Sequence, residues 1–333
     1  MTLNLANIQI GHAVNEEHNT GCTVFLMPPG TTGTAEVRGQ APGTREVALL
    51  DFDKKREKEV HALLFSGGSA FGLAAADGVM QYLAEQNIGH PTPVRPVPIV
   101  PTAIIYDFIL SHGRYTPTPA LGYAACQNAH HHNTAQGNVG VGRGATVGKW
   151  GGFHTKMKGG FGLASYQQDD LVIMAAVVVN AVGDVVADDG TVLAGARNPD
   201  GSWTVNNNPH RLWLGPPPTP PDNTNTTLAL LATNAQLTKA QTNQLVQRVH
   251  DSFAIAIRPV HTAHDGDIAF ALATNVTPNF EFYHLANIAV NVVTDAIRNS
   301  VRHAYTIKDV PGLADAPGLA DAPGLANQPT TGE

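Results

Sequence analysis

Pro216, Pro217, Pro218, Pro220 and Pro221 crowd six consecutive positions of a 333-residue chain, so this stretch cannot run through the interior of a sheet. Proline offers no amide hydrogen to a ladder and fixes its own φ, which makes such a segment extended and exposed. Just beyond it the texture reverses: TTLALLATN, beginning at Thr226, is an apolar strand candidate. The chain reads as two ordered stretches joined by an exposed connector, with a buried element starting directly after it.

Before the connector, strand-like and helix-like patterns alternate. Leu3, Leu5, Ile8 and Ile10 give a rough period of two, and Thr23 to Met27 and His61 to Phe65 are short apolar runs suited to buried strands. After SGGSAFG, the residues Leu73, Ala76, Val79 and Leu83 fall on one helical stripe. Ala103 to Leu110 fits strand or helix equally. Leu171 to Val179 and then VVADDGTVLAG read as strands joined by tight turns. After the connector, a helix capped by Thr238 carries Leu245, Val249, Phe253 and Ile257 on one face; DIAFALATN is a further strand, and Leu285, Ile288, Val292 and Ala296 mark a last amphipathic helix. This is an α/β pattern, long enough for two ordinary domains or one large layered domain. From Pro311 the sequence repeats PGLADA with period six, matching no common repeat architecture, so residues 310–333 are expected to be a disordered appendage.

Composition closes several routes. With 43% hydrophobic and 14% charged residues the chain is globular. A formal net charge of -7 without a basic run excludes a nucleic-acid surface. The start lacks a basic leader, and the longest apolar run, Leu171 to Val179, is too short for a membrane span, so a cytoplasmic protein is expected. Cys22 and Cys126 lie in apolar contexts and read as buried thiols rather than a disulfide framework.

Four motifs carry possible chemistry. At Asn225-Thr226, a hydroxyl at the head of a buried strand can attack the preceding carbonyl, and hydrolysis of the resulting ester frees an α-amine. That amine titrates near 8, roughly matched to deprotonating its own hydroxyl. The alternative is that Thr226 simply starts a strand. HDGD (His264 to Asp267) sets two carboxylates two residues apart, a pair that can orient a hydroxyl or hold an ammonium group, or else a solvated turn. GNVGVGRGATVGK fails as a phosphate loop, having Arg143 and Trp150 where that motif needs glycine and Ser or Thr; it is a glycine-rich backbone delivering Lys149. SGGSAFG offers exposed turn amides for an oxyanion, or merely tight packing. His130, His131 and His132, and the pair His261 and His264, lack metal-ligand spacing, so neither a metal nor a cofactor is expected.

In order, IGHAVNEEHNTGCTVFL, LLFSGGSAFGLAAADGVMQYL, GNVGVGRGATVGK, KGGFGLAS, VVVNAVGD, NTTLALLATN and RPVHTAHDGDIAFALAT resemble the L-aminopeptidase/D-amidase-esterase family, which includes β-aminopeptidases and endo-type 6-aminohexanoate-oligomer hydrolases. The likeness covers roughly residues 5 to 305. It implies an αββα sandwich of the N-terminal-nucleophile type, one domain over 1–309, cut into pieces 1–225 and 226–333 that stay together. It implies Thr226 as nucleophile, Asp265 and Asp267 beside it, and Lys149, Asn180 and Tyr106 lining the site. Asn180 would donate to the oxyanion, Lys149 would keep the new amine neutral, and Tyr106 would position substrate or donate a proton. The aminopeptidase branch fits less well, favouring a serine nucleophile and Ser-x-Glu where this chain has Asp265-Gly266-Asp267. The resemblance implies a small oligoamide or peptide substrate and a homo-oligomer of cleaved pairs. Aminopeptidase or D-amidase-esterase activity on small peptides, amides or esters, acyl transfer to an amine or alcohol, and a non-catalytic binding role on the same scaffold are the rival readings.

Overall fold

A computed structural model describes residues 3–54, 59–213, 224–278 and 280–315; the proline-dense stretch and the tail from 316 onward lie outside them. Two five-stranded sheets dominate. The first has the order β1 (Gln9–Asn15), β2 (Thr20–Leu26), β5 (Ala62–Ser66), β6 (Thr102–Ile104), β4 (Thr44–Arg45). The second has the order β3 (Thr32–Val37), β15 (Ile268–Thr277), β13 (Thr226–Ala235), β10 (Leu171–Asn180), β9 (Gly160–Gln168). A small sheet of β12 (Val192–Ala194), β11 (Asp184–Val186) and β14 (Ile257–Arg258) and a pair, β7 (Thr146–Val147) with β8 (Met157–Lys158), complete the strands described. The helices are α1 (Ala75–Glu85), the short α2 (Phe108–Ser111), α3 (Pro119–Gln127), α4 (Lys239–Ala256) and α5 (Phe282–Arg302).

The layering follows from strand alternation. Along β10, Val172, Met174, Ala176 and Val178 meet the first sheet's Ile10, Phe25, Leu63 and Phe65, whereas Ile173, Ala175, Val177 and Val179 face α4 and α5 through Val249, Phe253, Val293 and Ile297. Strands buried on both faces need unbroken apolar runs, and that is what LVIMAAVVV and TTLALLA supply. On the other side, Cys22, Val24 and Leu64 pack against Ala76, Val79 and Ala125 of α1 and α3. Helix, sheet, sheet, helix is the αββα order expected.

Several local expectations shift. Leu5 and Ile8 are buried in the core between the sheets, but β1 begins only at Gln9 because Ala6 and Asn7 adopt positive φ and turn the chain. Ala103 to Leu110 resolves into the end of β6 followed by α2. α4 ends at Ala256, so Ile257 belongs to β14 rather than to the helical stripe. Thr238 does cap α4, in a reciprocal box with Gln241. Thr238→Ala is expected to cost about 1 kcal/mol, read as a lower Tm or denaturation midpoint. The packed body also reaches past 309. Val310 and Leu313 are buried, Pro311 accepts from the Lys158 amide, and Ala314 donates to Ala304, so these first tail residues are core, not appendage. Both cysteines are buried, and burial pushes the Cys126 thiol up to about 12 and Cys22 higher still. No helix among the described residues is long and apolar enough to cross a membrane.

Candidate active site

The site grows from the head of β13. Antiparallel pairing with β10 sets Asn180 opposite Thr226, and parallel pairing with β15 brings the HDGD segment alongside, through a bridge between Asn225 and Asp265. Thr226 is 4% exposed and Asn225 2%. The Thr226 hydroxyl donates to the Asn225 carbonyl oxygen at 2.5 Å, and the same oxygen accepts the Gly266 N–H at 2.8 Å. The peptide bond before Thr226 is thus held with its carbonyl polarised by a backbone amide and with a hydroxyl against it.

The two carboxylates are buried, at 1% and 0% exposure, which overturns the solvated-turn alternative for HDGD. Their surroundings differ. Asp267 accepts the Thr227 amide on Oδ1 at 2.6 Å and meets His261 Nδ1 on Oδ2 at 2.8 Å. Asp265 uses Oδ2 for the Thr262 amide and hydroxyl, while its buried Oδ1 has no partner among the described residues. Burial, and then the neighbouring Asp267 charge, hold the Asp265 carboxyl above the usual carboxylate range.

Asn180 is the junction of the other half. Its Oδ1 accepts Lys149 Nζ and the Thr146 amide, each at 3.0 Å; its Nδ2 donates to the Tyr106 carbonyl at 3.0 Å and to the Thr224 carbonyl at 3.1 Å. Lys149 Nζ also donates to the Asn180 carbonyl. The backbone oxygen of Tyr106 makes this contact, while its ring packs edge-on against Phe108. All six residues named from the sequence are therefore gathered, Tyr106 through its main chain.

The glycine-rich loop is fastened at both ends of its last turn. Buried Lys158 donates to the carbonyls of Arg143 and Ala145, and Gly148 adopts φ 71°, a left-handed turn that swings the chain into Lys149. In SGGSAFG the Gly67 amide donates to Gly21, Gly68 to the buried Asp107 carboxylate and Ser69 to Ile105, so these three amides are spent on packing rather than open to an oxyanion. Burial raises Asp107 to about 6. The sequence did not disclose the Gly266 amide, a backbone donor without a side-chain signature, or His261 as the holder of Asp267. Beside the site lies a cavity of about 190 Å³, bounded by Asn225, Lys149, Trp150, Phe153, Arg211 and Trp213 among others. No group of three or more His, Cys, Asp or Glu among the described residues is placed to hold a metal ion.

The model for peptidase family S58 matches residues 3–314. The chain is 42% identical over 261 residues to an uncharacterized aminopeptidase of Mycobacterium tuberculosis, covering 76% of this chain and 73% of the relative. It is 34% identical over 272 residues to the 6-aminohexanoate-oligomer endohydrolase of Paenarthrobacter ureafaciens, covering 80% and 73% respectively. The L-aminopeptidase D-Ala-esterase/amidase of Ochrobactrum anthropi, a variant of the Ntn-hydrolase fold, superimposes with TM-score 0.66 over 91% of this chain and 86% of that one, at 17% identity. Taken with the strand-head threonine and its buried carboxylates, these matches make the chain a member of peptidase family S58, an amide hydrolase on the N-terminal-nucleophile fold.

Proposed function

We propose that the chain cleaves itself between Asn225 and Thr226, and that Thr226 then hydrolyses linear amides through an acyl-threonine ester. The observation that carries this reading is the Thr226 hydroxyl lying on a carbonyl that already accepts the Gly266 amide. In self-cleavage Oγ1 attacks the Asn225 carbonyl carbon, the C–N bond breaks and the nitrogen takes a proton. Water hydrolyses the ester to an Asn225 carboxylate and a free Thr226 amine. Asp265 Oδ1, without a partner among the described residues, is the acceptor this reading assigns, first for the hydroxyl proton and afterwards for an N–H of the new amine. Departure of the 224–225 segment releases the Asn180 Nδ2 hydrogen now spent on Thr224, and that donor serves the substrate oxyanion.

In turnover the α-amine removes the hydroxyl proton, Oγ1 attacks the substrate carbonyl, the leaving amine is protonated, and water releases the acid. Substrates of the 6-aminohexanoate-oligomer kind suit the threonine with its Asp-Gly-Asp segment. The identity to an aminopeptidase favours a second reading, release of N-terminal residues from small peptides. Rates on aminoacyl p-nitroanilides against 6-aminohexanoate oligomers separate the two. Intact mass spectrometry of purified protein tests the common step; pieces of 225 and 108 residues, the smaller starting with threonine, are expected, and active uncut protein would sink the proposal.

A pH prediction follows from Asp265. A carboxyl held above its ordinary value needs less acid to be protonated, so kcat should fall on acidification from a pH clearly above the roughly 4 at which a free aspartate titrates. Asp265→Asn should lower kcat and remove that limb. A limb sitting near 4 in the wild type would contradict the assignment of Asp265.

A further inference from the structure

The cavity beside Asn225 has a built polar end that neither self-cleavage nor the hydrolytic step uses. Asp184, 1% exposed, binds two of its walls at once: Oδ1 accepts Trp150 Nε1 at 2.7 Å and the Ala196 amide at 2.8 Å, and Oδ2 accepts Arg211 Nε at 3.0 Å. The Arg211 backbone is pinned as well. Its amide donates to the Asn208 carbonyl at 2.9 Å, and the Asn208 side chain brackets Leu212. Among the described residues the outer guanidinium nitrogens of Arg211 have no hydrogen-bond partner. A fork held by its Nε and its main chain presents the remaining donors with little ordering cost.

Position says which part of a substrate this end would meet. In self-cleavage the acyl carbon is that of Asn225. Any substrate carbon attacked by the same oxygen must come to the same point, so its acyl chain enters the space Asn225 lines. Trp150, Phe153 and Trp213 give that space apolar walls, and among the described residues that line it the charged ones are Lys149 and Arg211, both cations, the latter paired through Nε with Asp184. A chain ending in ammonium would be desolvated against like charge; one ending in an oxygen acceptor would meet a fork.

We infer that this cavity is the acyl pocket, and that Arg211 makes it select amides whose acyl chain bears an oxygen acceptor at its far end, either a carboxylate or the carbonyl of a further amide. The inference rests on Thr226 being the nucleophile and names the substrate class of that site.

Four p-nitroanilides of similar acyl length test it on the processed enzyme: adipoyl (carboxylate end), N-acetyl-6-aminohexanoyl (amide end), hexanoyl (apolar end) and 6-aminohexanoyl (ammonium end). The two acceptor-ended substrates are expected to exceed the ammonium-ended one by about tenfold or more in kcat/KM, the scale of a matched polar contact against an unmatched one. The adipoyl and acetylated arms tell which source of acceptor is preferred. In Arg211→Gln the ratio of adipoyl to hexanoyl turnover should drop toward one, and Arg211→Lys, which keeps a cation, should retain part of it. Appearance of the cleaved pair on a gel reports that each variant has folded. A wild type that prefers 6-aminohexanoyl, or a ratio unchanged in a folded Arg211→Gln, would overturn the pocket assignment. Absence of turnover on all four substrates would instead overturn the hydrolase reading beneath it, and the pocket with it.

Discussion

Thr226→Ala should run as a single 35.1 kDa chain on a denaturing gel and release no product from any amide. The substitution removes one hydroxyl and one methyl from a residue 4% exposed at a strand head, so the sandwich stays intact while both reactions lose their attacking atom. Removing a nucleophile of this type costs on the order of 10⁶ in kcat. Thr226→Ser, which keeps the oxygen, should still cut the chain. Time courses of freshly purified protein, with thermal melts to verify folding, decide the matter. Scission of the alanine variant at the same bond would mean that Thr226 is not the attacking residue.

Gly266→Ala is the second large effect, and it isolates a backbone contribution. A Cβ at this position would lie 2.8 Å from Thr226 Oγ1 and 2.5 Å from the Ala41 carbonyl oxygen, too close for either to stay. Relief requires the HDGD segment to back away, which stretches the 2.8 Å hydrogen bond from the Gly266 amide to Asn225, or the hydroxyl to leave its carbonyl. Loss of one oxyanion donor costs about 3–4 kcal/mol, roughly 10²–10³ in rate. The variant should therefore accumulate as uncut chain for hours after the wild type is processed. Processing at the wild-type rate would show that this amide contributes nothing to the reaction.

The parts of this molecule legible in its sequence are those written by local rules. LVIMAAVVV and TTLALLA announce doubly buried strands, and Thr238 with Gln241 announces a helix start, because side-chain period and capping act within a few residues. Thr226, Asn180, Lys149, Asp265 and Asp267 were nameable through their motifs. Their union was not, because it depends on the pairing of β13 with β10 on one side and β15 on the other. Period-two reasoning missed the turn at Ala6 and Asn7, where backbone conformation overrides a hydrophobic pattern. It also stopped the body at 309, since proline-rich repetition says nothing about whether Val310 and Leu313 find a core. Gly266 escaped for a simpler reason: what it offers is an N–H, which every residue but proline carries.

The order β3-β15-β13-β10-β9 has a mechanical consequence. A cut at 225/226 would leave β13 and β15 on the shorter fragment and β3, β10 and β9 on the longer one, so the shorter product's adjacent pair of strands lies between strands of the longer one within a single sheet. Neither could depart without tearing hydrogen-bonded ladders on both flanks and laying open raw strand edges that invite aggregation. Scission would thus subtract a covalent link while leaving the fragments interlocked, as teeth of a closed zip stay engaged when the tape between them is snipped.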